Sequence, residues 1–229
     1  MKRTGSHRLP FEILYEDRDV IVIDKPAGLL STHTRLPTRA ARESQRTAEN
    51  ILNDYVRKGQ SRSRAQVWLV HRLDRDTSGV MMFAKSREVA EYFRSNWNSL
   101  TEKTYIATVE GVMEGDDGAF ESNLAEDDDG YMVRSVPEGG RPARTEWKVL
   151  SRGNSTTQVE VHLKTGRKNQ IRAHFSEAGH PVVGDVKYGA RKVGPLKLRS
   201  VRLVFELPGG RKVDVEAGAR RKGGNGRMA

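Results

Sequence analysis

The most chemically dense part of the chain is a polar segment between two apolar runs. It reads His71-Arg72-Leu73-Asp74-Arg75-Asp76-Thr77-Ser78-Gly79, and the apolar runs are 67–70 and 80–84. Charged residues on a loop that rigid strands hold in place are a common setting for a functional site. The residues alone equally allow a polar surface loop whose charges pair locally.

Asp74 and Asp76 are candidates for a pair of catalytic carboxylates. On an extended chain, residues two apart lie about 6.6 Å from each other on one side. Carboxylates at about that separation perform glycoside hydrolysis in many enzymes. The spacing therefore leaves a hydrolase open as one hypothesis.

Several other kinds of catalytic site are excluded or unsupported. The chain has no cysteine, which excludes disulfides, thiol nucleophiles and cysteine-bound metals. It has no phosphate-binding G-x-x-x-x-G-K-[ST], no G-x-G-x-x-G, no G-x-S-x-G, and no H-E-x-x-H among its six histidines. The acidic stretch 114–130 is out of register with a calcium-binding EF-hand loop, so we expect a solvated hairpin loop there. We predict neither a metal nor a cofactor.

The charge of the chain indicates a polyanionic partner. Its formal net charge is +10, and such a surface attracts RNA, DNA or an anionic membrane. No apolar run approaches the roughly 20 residues that a membrane-spanning helix needs. The basic N-terminus lacks the hydrophobic core of a secretory signal. We therefore expect a cytoplasmic protein without a membrane partner, and a monomer by default.

Hydrophobic patterns predict the elements that must position the polar segment. Strands are expected at 20–23, 67–70, 80–84, 105–109, 145–150, 158–163, 201–207 and 212–215. Helices are expected at about 47–58, after an N-cap at Ser86, and within 166–178 with Gly179 as the C′ residue. The mixture predicts an α+β fold with a mixed, mostly antiparallel sheet flanked by short helices.

The same reading divides the chain into three parts. Residues 1–10 are a basic lead-in, 11–217 form one domain, and 218–229 are a glycine- and arginine-rich tail that we expect to be disordered. Two basic loops are expected within the domain, at 34–46 and 57–64. We find no internal repeat.

The polar segment resembles the H-R-L-D-x-x-T-S-G signature of RluA-type RNA pseudouridine synthases. Further blocks agree with this family in order and spacing, namely Glu16-Asp17 to Lys25-Pro26-Ala27-Gly28, Lys103-Thr104-Tyr105, Leu163-x-Thr165-Gly166-Arg167-x-x-Gln170-Ile171-Arg172-x-His174, and Gly179-His180-Pro181 to Tyr188-Gly189. The agreement spans about 12–189. The resemblance implies the catalytic-domain fold of that family.

The resemblance also implies roles for individual residues. Asp74 becomes the essential carboxylate, and Arg172 the guanidinium that holds it ionised. Tyr105 becomes the aromatic residue that stacks on uracil. Substrate contacts are implied for Arg72, Arg167, Lys103 and Gln170. The family's third block usually has His where this chain has Asn169, which can form hydrogen bonds but does not titrate.

The function implied is isomerisation of specific uridines in rRNA or tRNA without a cofactor. Asp74 would attack C6 of uracil, or act at the sugar C1′ either as a nucleophile or as a base through a glycal route, and the sequence leaves these routes open. Two other hypotheses remain at this point. One is a catalytically inactive RNA-binding module of the same fold, and the other is an RNA or nucleoside hydrolase that uses Asp74 and Asp76.

Overall fold

The architecture rests on one large mixed sheet. The computed structural model describes residues 9–33, 45–58, 60 and 62–218. The strands of the described residues are β1 (Glu12–Glu16), β2 (Val20–Lys25), β3 (Trp68–Leu69), β4 (Ser78–Ala84), β5 (Thr101–Glu110), β6 (Asp117–Glu126), β7 (Val133–Val136), β8 (Arg141–Arg152), β9 (Thr156–Leu163), β10 (Leu198–Glu206) and β11 (Lys212–Glu216). The helices are α1 (Ala48–Arg57), α2 (Arg87–Leu100) and α3 (Gln170–Glu177), with a short 3-10 turn at Val186–Tyr188.

The strands are ordered β1-β2-β4-β10-β5-β9-β8-β6-β7, with β11 paired to β10 and β3 paired to β4. Within the described ranges, the pairing of β4 with β10 is parallel, and the other strand pairs are antiparallel. The predicted α+β class and the mostly antiparallel sheet are therefore confirmed.

The helices begin and end where the local sequence predicts. The side chain of Thr47 accepts a hydrogen bond from the Asn50 N–H at the start of α1. Ser86 does the same for Val89 at the start of α2, which confirms the predicted N-cap. Gly179 follows α3 with a φ of +81°, a conformation that glycine adopts without steric cost. Of the helices described, none is both long and apolar enough to cross a membrane.

The sheet is covered on both faces, so its central strands are buried on both sides. Along β2, Ile21 and Ile23 pack into a cluster with residues of α1 and α3. Val20 and Val22 point to the opposite face and pack against α2 and β11. This explains why β2 is a continuous β-branched run rather than an alternating one.

The acidic stretch 114–130 departs from its predicted structure. Its greater part is strand β6, which pairs with β8 on one side and β7 on the other. Acidic residues of β6 lie opposite basic residues of β8, with Asp117 across from Lys148 and Glu121 across from Arg144. Phe120, which lies between Asp117 and Glu121 on β6, packs against the hydrophobic core. The prediction of a solvated hairpin loop was therefore wrong for 117–126, which form a strand, whereas the exposed residues 127–129 do lie in the hairpin turn between β6 and β7.

One predicted strand is shorter than expected, and several predictions fall on residues that the structure does not describe. The strand expected at 67–70 is reduced to the two residues of β3. The basic lead-in, most of the loop 34–46, and the tail fall on residues 1–8, 34–44 and 219–229, which lie outside the described residues. The domain division therefore stays a prediction.

The parallel pairing of β10 with β4 fixes the end of the polar segment. Gly79 has a φ of +114°, and a Cβ built there would lie 1.9 Å from the carbonyl oxygen of Ser200. Any other residue at this position would push the two strands apart. The glycine is thus required by the close approach of β10, a contact between residues distant in sequence.

Candidate active site

Backbone anchors hold the segment before β4 in a defined shape. The side chain of Ser31 donates to the Leu73 carbonyl at 2.7 Å and accepts from the Leu73 N–H at 3.2 Å. Next to it, the Thr77 N–H donates to the Asp74 carbonyl at 3.2 Å and closes a turn. Asp74 is therefore presented from a loop that is fixed on both sides.

A buried lysine lies beneath this loop. Lys25 is fully buried, and its ammonium donates to three backbone carbonyls, those of Pro26 (3.0 Å), Leu29 (2.8 Å) and Arg75 (3.1 Å). Burial lowers the pKa of Lys25 to about 8, against the opposing charges of Asp76 and Asp74. The side chain ties the turn after β2 to the Asp74 loop. The sequence predicted no role for Lys25 beyond its place in the turn after β2.

Asp74, Tyr105 and Arg172 line one cavity of about 280 Å³. This is near the lower end of the range for small-molecule sites, about 300 Å³. Three distant parts of the chain meet here, namely the loop before β4, the strand β5 and the helix α3. The structure thus brings together the three residues expected to be catalytic.

Arg172 is shared between two carboxylates. Its Nε and Nη2 donate to the Asp185 carboxylate at 2.6 and 2.7 Å. Its Nη1 lies 3.5 Å from Oδ2 of Asp74 and donates to Oδ1 of Asn169 at 3.1 Å. The guanidinium also stacks over the ring of Tyr188, with Cζ 4.8 Å from its centroid. Asp185 thereby fixes the plane from which Arg172 faces Asp74.

The charge state of Arg172 follows from these contacts. Burial disfavours its positive charge, but the hydrogen bonds and charge of Asp185, and then the charge of Asp74, raise its pKa above the ordinary arginine value. The side chain of Asp185 is only 1% exposed. A buried cation therefore lies between one buried and one partly exposed anion.

Tyr105 presents its ring to the same cavity from β5. It is buried, and burial followed by the negative charge of Asp74 raises its pKa above the ordinary tyrosine value. The phenol is therefore protonated at neutral pH. It offers an aromatic face and an O–H group beside the carboxylate.

Three of the four residues expected to bind substrate also line the cavity. They are Arg72, Arg167 and Gln170. Arg72 is exposed, and Arg167 donates through Nε to the Pro142 carbonyl at 2.9 Å. The amide of Gln170 is used within the protein, where it accepts from Thr165 and the Arg167 N–H and donates to the Arg144 carbonyl and Thr145. Gln170 thus shapes the cavity wall.

Lys103 lies elsewhere. It is buried, its ammonium donates to Oδ1 of Asn98 at 3.0 Å, and it lies 5.9 Å from the centroid of Trp97 on α2. Burial lowers the pKa of Lys103 to about 8. Its position beside α2 gives no support to the expected contact with substrate.

Asp76 is also separated from the cavity. Residues 75 and 76 form a turn rather than an extended strand, and Asp76 is exposed. The cavity lining includes Asp74 and Thr77 but omits Asp76. The extended geometry assumed for a pair of carboxylates was therefore wrong.

The contacts that Asn169, Asp185 and Tyr188 make with Arg172 were not predicted from the sequence. Asn169 has a left-handed φ of 51° just before α3, a conformation in which Asn is enriched. Asp185 and Tyr188 belong to the matched block around the 3-10 turn, yet no spacing rule links them to Arg172. In the part of the chain that the structure describes, no three His, Asp or Glu side chains are arranged to hold a metal ion.

His71 anchors the start of the loop as a neutral ring. Its Nε2 accepts from the Met82 N–H at 2.9 Å, and the ring stacks on Trp97 with centroids 4.4 Å apart. Burial, and then the positive charge of Lys103, lower its pKa from 6.5 to about 3. A proton on Nε2 would also remove the hydrogen bond to Met82.

We expect this histidine to make the protein less stable in acid. Between pH 6.5 and about 3 the unfolded chain binds a proton at His71 that the folded protein does not. The free energy of unfolding should therefore fall as the pH drops through this window, by up to about 1.4 kcal/mol per pH unit from this group. Urea unfolding of the wild type and of His71→Gln, whose amide does not titrate, measures how much of the pH dependence of the free energy of unfolding comes from His71. Parallel pH curves for the two proteins would contradict it.

Comparisons with known proteins indicate the family to which the chain is similar. Residues 19–177 match the family model described as RNA pseudouridylate synthase. The chain is 37% identical over 203 residues to the uncharacterized RNA pseudouridine synthase YjbO of Bacillus subtilis, covering 87% of this chain and 69% of that protein. It is 34% identical over 184 residues to the dual-specificity RNA pseudouridine synthase RluA of Vibrio vulnificus, covering 77% and 68%.

A third relative and a solved structure extend the agreement. The ribosomal large subunit pseudouridine synthase D of Nitrosomonas europaea is 34% identical over 191 residues, covering 83% of this chain and 53% of that protein. The chain thus spans between 53% and 69% of the length of these three relatives. The solved structure of human RNA pseudouridylate synthase domain containing 4 superposes with a TM-score of 0.72 at 25% identity, covering 91% of this chain and 88% of the human chain. The chain belongs to the RNA pseudouridylate synthase family.

Proposed function

We propose that this chain converts uridine to pseudouridine in RNA and that Asp74 is the essential carboxylate. In this reaction the bond between C1′ and N1 breaks, the base rotates, and a bond forms between C1′ and C5. The hydrogen on C5 leaves as a proton and N1 gains one, so the RNA keeps its composition. The observation that carries the proposal is Asp74 beside Arg172, 3.5 Å apart, in a cavity that Tyr105 also lines.

In this proposal Arg172, Asp74 and Tyr105 have different roles. Arg172 holds Asp74 ionised and oriented at the cavity. Asp74 then attacks C6 of uracil, or attacks C1′ as a nucleophile, or acts as a base that removes the C2′ proton in a glycal route. Each route needs an ionised carboxylate next to the uridine. Tyr105 stacks its ring on the uracil, and its phenol stays protonated beside Ser200.

The uridine must leave its stack before Asp74 can reach it, at a cost of a few kcal/mol. Cationic side chains around the cavity supply phosphate contacts that offset this cost, with Arg72 on the loop and Arg167 and Lys168 before α3. The name of the Nitrosomonas relative refers to the ribosomal large subunit. We therefore propose structured cellular RNA, rRNA or tRNA, as the substrate class.

The test uses RNA from cells that lack this gene, labelled with tritium at C5 of uracil. The purified protein is expected to release tritium into water while the RNA stays intact, and pseudouridine should appear at a defined position. Release of free uracil would instead indicate a hydrolase. Absence of both products, with RNA binding retained, would identify a non-catalytic RNA-binding module and contradict the proposal.

A further inference from the structure

An exposed aromatic residue lies on the turn between β6 and β7, and the last residue of β6, Glu126, lines the cavity. Tyr131 is 63% exposed. The turn that carries it is well defined, because the Asp127 carboxylate accepts from the Met132 N–H at 2.9 Å and the Gly130 N–H donates to the Asp127 carbonyl at 2.8 Å. The ring is therefore presented to solvent by an ordered turn.

Two lysines contact this turn, and one of them, Lys168, also lines the cavity. The Lys168 ammonium donates to Glu126 and to the Gly130 carbonyl, each at 2.6 Å. The Lys187 ammonium donates to the Tyr131 carbonyl. Glu126 and Lys168 both line the cavity that contains Asp74. Lys168 therefore contacts both the turn that carries Tyr131 and the candidate active site.

Aromatic and cationic groups alternate from this surface to Asp74. The Lys187 ammonium lies 4.0 Å from the ring centroid of Tyr131 and 5.8 Å from that of Tyr188. Tyr188 stacks on Arg172 at 4.8 Å, and Arg172 reaches Asp74 at 3.5 Å. Tyr188 is buried, so the groups of this path that lie open to RNA are Tyr131 and Lys187, a ring for a base and a cation for phosphate.

The cations along this path are crowded. Burial, followed by the positive charges of Arg172 and Lys168, lowers the pKa of Lys187, while the charges of Asp74 and Asp185 oppose the shift. A phosphate placed among these groups would relieve the repulsion between the cations. The exposed carboxylates of Asp128 and Asp129 on the same turn repel phosphate, which confines a bound backbone to the side of the lysines.

We propose that Tyr131 and Lys187 form a subsite for the nucleotide next to the target uridine. Extrusion of the uridine leaves its neighbour without a stacking partner on one side. That neighbouring base stacks on the exposed ring of Tyr131, and its phosphate accepts from Lys187. The subsite rests on the proposed function, since it takes its position from a uridine bound at Asp74.

The test measures binding of a short fluorescent oligouridylate to the full chain carrying Asp74→Asn, so that no reaction takes place. Tyr131→Leu removes the ring, Tyr131→Phe keeps it, and Lys187→Met removes the charge. Matched controls are Tyr55→Leu on α1 and Lys212→Met on β11, which change an exposed tyrosine and an exposed lysine elsewhere. Thermal unfolding establishes that every variant is folded before binding is measured.

Tyr131→Leu is expected to weaken binding at least about 5-fold, the loss of one base–aromatic stack, and Tyr131→Phe to stay within about 2-fold of the parent. Lys187→Met should reduce the slope of log K against log salt by about 0.7, the value for one phosphate contact on a single strand. If Tyr131→Leu binds like Tyr55→Leu, or if Tyr131→Phe loses as much as Tyr131→Leu, the subsite is wrong. The assay needs no catalysis, so these outcomes are independent of whether the wild-type chain releases tritium.

Discussion

Asp74→Asn is expected to abolish pseudouridine formation, whereas Asp76→Asn should retain most of it. The amide keeps the shape of the side chain but removes the negative charge that faces Arg172 at 3.5 Å. Loss of a group that acts as a nucleophile or a base lowers rates by roughly 10²- to 10⁴-fold or more. Asp76 is exposed and does not line the cavity, so its carboxylate has no access to a base bound there. Tritium release from labelled RNA measures both variants.

The two variants control for each other, because each neutralises one aspartate in the same loop. Binding of oligouridylate by Asp74→Asn shows that the RNA surface is intact when the reaction is lost. Full activity in Asp74→Asn would overturn the assignment of the carboxylate. An equal loss of activity in Asp74→Asn and Asp76→Asn would support the hypothesis of two cooperating carboxylates.

Arg172→Met is expected to destabilise the protein by about 3–5 kcal/mol, the usual cost of removing one partner of a buried ion pair. The reason is Asp185, whose side chain is 1% exposed and whose two oxygens accept from Arg172 at 2.6 and 2.7 Å. Without the guanidinium, this buried carboxylate loses both of these short hydrogen bonds and its ion-pair partner. Chemical denaturation gives the loss in free energy of unfolding. An unchanged stability would mean that Asp185 reaches another partner or solvent.

The double variant Arg172→Met, Asp185→Leu separates the structural role of Arg172 from its proposed catalytic role. Replacing both members of a buried ion pair by apolar residues is often neutral or stabilising, so most of the lost stability should return. Activity should stay lost, because Asp74 no longer faces a cation. Recovery of activity together with stability would show that Arg172 serves the fold alone.

The contact with Asp185 orients the Arg172 guanidinium toward Asp74. Of the two carboxylates, Asp185 holds the guanidinium with two short hydrogen bonds, and Asp74 receives the remaining Nη1 at a longer distance. The plane of Arg172 is thus set by the protein before any RNA binds. Such preorganisation of charge is a principal source of catalytic power in enzymes.

Sequence by itself determined the features that depend on neighbouring residues. The helix α2 with its Ser86 cap, the buried strand β2, and the polar segment before β4 follow from local periodicity and capping. The choice of Asp74, Tyr105 and Arg172 as candidate site residues came from the resemblance of ordered motifs along the chain to a known family. Periodicity and capping are local signals that one sequence contains in full, whereas the roles of these three residues needed the resemblance.

Tertiary structure alone decided which of these residues face the cavity. Lys103 and Tyr105 lie two apart on β5, which predicts one shared face, yet only Tyr105 lines the cavity. The register of β10 is irregular between Ser200 and Arg202, beside them, and such irregularities increase the local twist of a strand. Likewise the bond between Arg172 and Asp185 and the contact of Gly79 with Ser200 join separate elements. Their geometry is set by strand pairing and packing over long distances in the chain, and no local pattern records it.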